Sequence, residues 1–128
     1  MAKLIERGQT GSLFIHRKVE GYSGLMQFYK NTFKLAQPQV ARLTVTSPRT
    51  VAKWAQGEAP SARQQKSLIE MDRLLDGLSR IMEPREIGRW LRTPNSAFDG
   101  STPIQVIERG ESDRIWQMLY YIESGQPG

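Results

Sequence analysis

Arg49, Thr50 and Lys53 stand at i, i+1 and i+4, a spacing that turns all three outward from one short helix. Their side chains reach base edges and backbone phosphates, so the chemistry they suggest is recognition of duplex DNA. Ser47 followed by Pro48 is the pairing for an N-cap and a first helical residue, and it leaves the partial positive charge of that terminus near a phosphate. Gln37 and Arg42 extend the set as phosphate contacts from a preceding helix. The candidate DNA-binding residues are thus Gln37, Arg42, Ser47, Arg49, Thr50 and Lys53. Catalytic chemistry lacks its parts. His16 is the single imidazole and cysteine is absent, so no nucleophile, base and orienting group can be assembled. The dense carboxylates Asp99, Glu108, Glu111 and Asp113 fall at turns and helix N-termini, where acids are favoured anyway. Neither an enzyme nor a metal or cofactor site is expected.

The elements that must position these residues read as helices. Gln37 to Leu43 carries Val40, Ala41 and Leu43 at helical spacing, and Pro48 to Gln56 turns Val51, Trp54 and Ala55 inward before Gly57 ends it. Two short helices joined by a tight turn are the layout that reads a major groove, with Trp54 as a core plug. The competing reading is a helical hairpin with a solvated basic face. Upstream, Leu25, Met26, Phe28, Tyr29 and Phe33 make Gly24 to Phe33 an amphipathic helix packed on this pair. Aromatics interleaved with lysines could instead stack single-stranded nucleic acid, but helical period explains the spacing alone. Met1 to Ser23 is basic and interrupted by Gly8, Gly11 and Gly21; Ser12 to Val19 suggests a short strand or an extended arm, and His16 a surface residue.

Downstream, Pro60 to Met82 repeats Leu68, Met71, Leu74, Leu75, Leu78, Ile81 and Met82 at threes and fours, which gives one long helix of about 20 residues capped by Ser61. Beside that stripe lie Glu70, Asp72, Arg73, Asp76 and Arg80, compatible with a spine between subdomains or a dimer seam. A helix after Pro84 turns Ile87, Trp90 and Leu91 inward and stops at Pro94. Thr102-Pro103 opens a short helix closed by Gly110, and Ser112 caps a last one that carries Ile115, Trp116, Leu119, Tyr120 and Ile122 and ends at Gly125. The divisions are residues 1–23 as an arm, 24–82 as the helix-turn-helix region with its connecting helix, and 83–128 as a helical subdomain.

The formal net charge of +5 is unevenly spread. Residues 1–66 hold 11 Lys/Arg against 3 Asp/Glu, and residues 67–128 hold 7 against 10. A phosphate-binding half joined to a differently employed half has this polarity. Absent cysteine fits a reducing compartment, and no apolar run reaches a membrane span, so a soluble cytoplasmic protein is expected.

Two stretches carry resemblances. Gln37, Val40, Ala41, Leu43, Ser47, Thr50, Val51, Trp54, Gly57 and Pro60-Ser61 resemble the pattern of Xre/Cro-like repressors. The turn departs from it, with Leu43-Thr44-Val45-Thr46-Ser47 standing where leucine-glycine-valine-serine is usual. Trp90, Pro94, Asn95, Phe98, Gly100, Pro103, Ile107, Gly110 and Glu111 closely resemble the toxin-binding domain of the Xre/MbcA/ParS type II antitoxins. The resemblance implies an all-α fold, an Xre/Cro-like helix-turn-helix bundle joined by a long helix to a small toxin-binding subdomain. It further implies a homodimer that binds operator double-stranded DNA in its own promoter and neutralises a cognate RES-type toxin, one that consumes NAD or transfers its ADP-ribose. The last helix and tail of such antitoxins block the toxin's NAD pocket. Carried onto this chain, the toxin-binding residues are Arg114, Gln117, Tyr121, Glu123, Ser124, Gly125 and Gln126, although they also suit a plain cap of the subdomain. Two other functions remain open from the sequence: a protein-only toxin inhibitor that does not bind operator DNA, and a stand-alone helix-turn-helix transcription regulator.

Overall fold

The computed structural model describes residues 8–125, all helical in their regular parts. The helices are α1 Gly8–Arg17, α2 Gly21–Phe33, α3 Gln37–Leu43, α4 Pro48–Ala55, α5 Ala62–Ser79 and α6 Pro84–Leu91. A 3₁₀ turn at Ser96–Phe98, α7 Pro103–Glu108 and α8 Ser112–Ser124 follow. No strand occurs among the described residues, and none of their helices is long and apolar enough to cross a membrane. The all-α expectation holds.

Local chemistry sets most of the boundaries. The Ser47 hydroxyl accepts from the Thr50 amide at 3.1 Å and opens α4. Ser61 with Gln64 and Thr102 with Gln105 form reciprocal capping boxes that open α5 and α7. Glu111 rather than Ser112 occupies the position before α8.

The first correction concerns Ser12 to Val19, which is neither a strand nor an extended arm. It is helical through Arg17, and Lys18 in the left-handed region ends α1 with amide bonds from Lys18 to the Ile15 carbonyl and from Val19 to that of Phe14. The glycines that obscured the helix fall in its first half, leaving Leu13, Phe14 and Arg17 on one packed face. Residues 1–7 of the expected arm lie outside the described residues. A second, smaller difference is that α2 starts three residues earlier than Gly24 and buries Tyr22.

One continuous core joins Leu13 of α1 to Leu119 of α8. Leu25, Tyr29, Phe33, Leu35, Val51 and Trp54 fill the space around the helix-turn-helix, with Trp54 fully enclosed as a core plug. The α5 stripe, Leu68, Met71, Leu74, Leu75 and Leu78, is buried throughout, and Ile87, Leu91, Ile104, Ile115 and Leu119 continue the core beyond it.

A buried ionic node fixes α1 and α2 against α5. Asp72 is 2% exposed and accepts from Arg17 Nε at 2.9 Å, Arg17 Nη2 at 3.1 Å and the Tyr29 hydroxyl at 2.6 Å. Arg17 also reaches Asp76 at 2.8 Å, and its guanidinium lies 5.3 Å from the ring centroids of both Phe28 and Phe33. Burial first, and then the Asp72 carboxylate, push the Tyr29 phenol well above its ordinary value, so it serves as a standing hydrogen-bond donor. His16 lies on the exposed rim, its Nε2 2.9 Å from Asp76. His16, Asp72 and Asp76 are close enough together to suggest metal ligands, but the Arg17 guanidinium already bridges both carboxylates.

Removing one side of a buried pair strands the other charge, so Asp72→Ala is expected to lower stability by about 3–5 kcal/mol. Arg17→Met with Asp72→Leu should recover most of that loss. Urea unfolding followed by circular dichroism measures both, and a loss near zero in the single variant would show that the node carries no weight.

Candidate nucleic-acid and partner-protein surfaces

The helix-turn-helix is built from α3 and α4. Val51 and Trp54 anchor α4 in the core, while Arg49 and Lys53 are exposed and have no ion pair among the described residues. Thr50 is half-buried and its hydroxyl lies 3.0 Å from Ser47 Oγ, so it serves the cap before any other partner. Gln37 is exposed at the first position of α3 and lines a small cleft with Lys30 of α2, a lysine outside the expected set. Arg42 is half exposed but engaged: its Nε and Nη2 donate to the two Glu108 oxygens at 2.8 and 2.7 Å. That pairing holds the Glu108 carboxyl below the usual carboxylate range and raises the Arg42 guanidinium. Of the six candidates, then, Gln37, Arg49 and Lys53 are exposed with no side-chain hydrogen bond among the described residues, Ser47 and Thr50 build the helix start, and Arg42 is tied to α7.

The altered turn has a definite geometry. The Val45 amide bonds to the Arg42 carbonyl and the Thr46 amide to that of Ala41, a Schellman closure in which Val45 takes φ +54°. Glycine is the usual residue at such a position, and Gly57 and Gly110 fill the equivalent places after α4 and α7. A β-branched valine there is strained, and its side chain is 64% exposed.

In the C-terminal half, Arg114, Gln117 and Tyr121 line one open depression of about 350 Å³ with Ala97, Phe98, Met118 and Ile122. The Arg114 guanidinium lies 5.6 Å from the Phe98 ring centroid and bonds Glu111 at 3.1 Å and Asp99 at 3.4 Å. Glu123 does not join this group. It turns back to pair with Arg80 near the end of α5, which lowers the Glu123 carboxyl. The Ser124 hydroxyl donates to the Tyr121 carbonyl at 3.3 Å, and Gly125, at φ +74°, ends the helix. Gln126 lies outside the described residues.

The apolar side chains of α8 divide between core and surface. Trp116, Tyr120 and Ile122 are 39%, 62% and 52% exposed. Only Ile115 and Leu119 are buried on this helix, because one face of it meets the rest of the protein. Trp116 instead packs beside Gly77 and lines a groove of about 460 Å³ with Leu43, Val45, Met71, Leu74 and Ile107. The signal was present in the sequence: apolar residues run almost all round α8 from Ile115 to Ile122, more than one neighbouring helix can cover.

A helix-turn-helix sharing its core with a small helical subdomain, whose last helix keeps aromatic side chains outside, defines the class of protein. Residues 73–125 match the family described as the Xre/MbcA/ParS antitoxin C-terminal toxin-binding domain. A probable mycobacterial cidal antitoxin of Mycobacterium tuberculosis is 30% identical over 83 residues, covering 65% of this chain and 71% of that protein. The mycobacterial cidal antitoxin MbcA, from Mycobacterium tuberculosis and Mycobacterium bovis alike, is 25% identical over 92 residues, 71% of this chain and 81% of MbcA. The crystal structure of the M. tuberculosis MbcT-MbcA toxin-antitoxin complex contains a chain of similar fold, with a TM-score of 0.64 at 22% identity over 84% of this chain and 97% of that one. This chain belongs to the Xre/MbcA/ParS antitoxin family. It is an antitoxin-family protein and not an enzyme.

The strain at Val45 yields a test of the turn. Val45→Gly releases about 1–3 kcal/mol of backbone strain against about 0.5–1 kcal/mol of lost chain restriction, for a net gain on the order of 1 kcal/mol. Thermal unfolding should shift upward. An unchanged or lower midpoint would mean that the valine side chain makes a contact worth its strain.

Proposed function

We propose that this chain neutralises a cognate toxin through the outer face of α8 and represses its own operon through the helix-turn-helix. The observation that carries the first part is the surplus of exposed apolar side chains on α8. Tyr121 and Ile122 line the depression with Arg114 and Gln117, and the adjacent face presents Trp116 and Tyr120. Contiguous apolar patches rimmed by polar groups mark protein contacts, and aromatic and arginine side chains are the usual anchors. The relatives named as antitoxins supply the partner class, and the family description assigns toxin binding to the region that contains this helix. The finer reading is a RES-type toxin acting on NAD, with Arg114, Gln117, Tyr121 and the tail from Glu123 to Gln126 meeting its pocket.

Co-expression with the product of the adjacent reading frame, followed by co-purification, tests this. A stable complex is expected, and Tyr121→Ala with Ile122→Asp should weaken it by about 2–4 kcal/mol while leaving the fold intact. Failure of the unaltered pair to co-purify would overturn the antitoxin reading for that neighbour.

The DNA part rests on exposed Arg49 and Lys53 beside the capped start of α4, in the basic half of the chain. A dimer on a two-fold operator gives each α4 one half-site. The division into an N-terminal segment, a DNA-reading region and a toxin-binding region from residue 83 belongs to the same proposal. Arg49→Ala with Lys53→Ala should weaken promoter binding and lower the slope of log affinity against log salt by about two, since each phosphate contact contributes about 0.9. One observation favours the protein-only alternative: Arg42 is already held by Glu108. Absence of any promoter shift at low salt would decide for it.

A further inference from the structure

The Arg42–Glu108 contact joins the helix-turn-helix to the C-terminal half through two parallel hydrogen bonds. One edge of the guanidinium is filled, Nε by Oε2 and Nη2 by Oε1. A phosphate of the DNA backbone takes arginine through the same two-pronged arrangement. Glu108 also shares an open depression with Ala41, Arg42, Val45, Thr46 and Ser47, which places its carboxylate against the turn that leads into α4. The first turn of α4 carries no acid of its own, and Arg49 there is exposed. Glu108 is therefore a negative charge brought by α7 to the turn before a helix whose first turn has no acid. Because both partners are substantially exposed, the pair contributes little to folding and can be opened by a competing anion.

We infer that Glu108 is an internal stand-in for a DNA phosphate, holding Arg42 and setting the affinity of the helix-turn-helix for duplex DNA from the other half of the protein. The inference rests on the DNA-binding reading above. When a duplex docks, a phosphate that takes Arg42 through Nε and Nη2 must displace Glu108, and one that approaches the remaining Nη1 edge meets the carboxylate's repulsion. Both routes make the unaltered chain a weaker DNA binder than its residue list suggests. Phosphate contacts carry no sequence information, so the effect applies equally to promoter and unrelated duplexes.

The test compares the full chain with Glu108→Gln, Arg42→Ala plus Glu108→Gln, and the control Glu86→Gln, which removes the same charge from an exposed pair with Arg89 on α6. Binding to promoter and scrambled duplexes is followed by fluorescence anisotropy over a salt series. Glu108→Gln should tighten both by roughly three- to tenfold at low salt and steepen the salt slope by about 0.9. The double variant should lose the gain, and Glu86→Gln should leave the slope unchanged. If the unaltered chain binds and Glu108→Gln matches it in affinity and slope, the inference fails while DNA binding stands. If no variant binds at low salt, the DNA-binding reading itself fails. Binding by Glu108→Gln alone would support both.

Discussion

The buried carboxylate of Asp72 constrains more of this structure than any other single group. An ionised carboxylate taken out of water is tolerated only with its lone pairs occupied, and here Arg17 and Tyr29 occupy them from two different helices. Satisfying Asp72 therefore fixes the position of α1 and the rotation of α2 relative to α5 at the same time. Phe28 and Phe33 close over the Arg17 guanidinium, so the charge sits between a counter-ion and two aromatic faces. An apolar contact could have supplied comparable stability, but it would carry no buried charge whose partners have to be met. Placing α1 and α2 places the helix-turn-helix, because α4 packs Val51 and Trp54 into the core those helices bound.

Close backbone approaches attach the C-terminal half to that frame. A Cβ at Gly88 would lie 2.5 Å from the Lys34 carbonyl oxygen and 2.6 Å from that of Phe33, so α6 crosses the end of α2 at a distance only glycine permits. At Gly77 a Cβ would meet Leu119 and Trp116 at 3.1 Å, which brings α8 onto α5 with similar closeness. Side chains at such crossings have little room to slide, and the core continues through them without a gap. The two halves therefore do not behave as beads on a linker. Whatever meets α8 and whatever meets α4 act on one packed body, and the Arg42–Glu108 pair is a place where the charges of the two halves touch directly.

Much of this was legible from residue order. Ser47-Pro48, Ser61 and Thr102-Pro103 mark helix starts because a hydroxyl cap and a proline solve a local problem that needs no tertiary partner. The stripe from Leu68 to Leu78 is equally local, and the pattern from Trp90 to Glu111 pointed to the family. What escaped depends on distant partners. Asp72 reads as a solvated charge until Arg17, 55 positions away, is brought onto it. Glu108 reads as a helix-end acid until Arg42, 66 positions away, closes on it. The α1 helix was hidden by glycines whose cost is recovered by packing, and the exposure of Trp116 and Tyr120 depends on how many neighbours α8 finds. Periodicity reports that a side chain is apolar on a given face, but only tertiary structure reports whether that face is covered.

The uncovered face of α8 and the strained turn at Val45 bear on each other. Both place apolar side chains in one groove, which Val45 and Trp116 line together with Leu43, Met71, Leu74 and Ile107. A valine held at positive φ costs stability that a glycine would not, and the exposed part of Trp116 returns no burial energy to the isolated chain. Each feature is unfavourable by itself for the free protein. The same helix nevertheless buries Ile115 and Leu119 fully, so its outer residues are not the result of a helix that fails to dock. The α8 surface is thus divided by position: an inner pair of residues that attaches the helix to the core, and an outer set that keeps apolar area exposed. That division is what the proposed antitoxin role requires of a last helix, which must stay folded when its partner is absent and still have apolar area left to bury when the partner arrives.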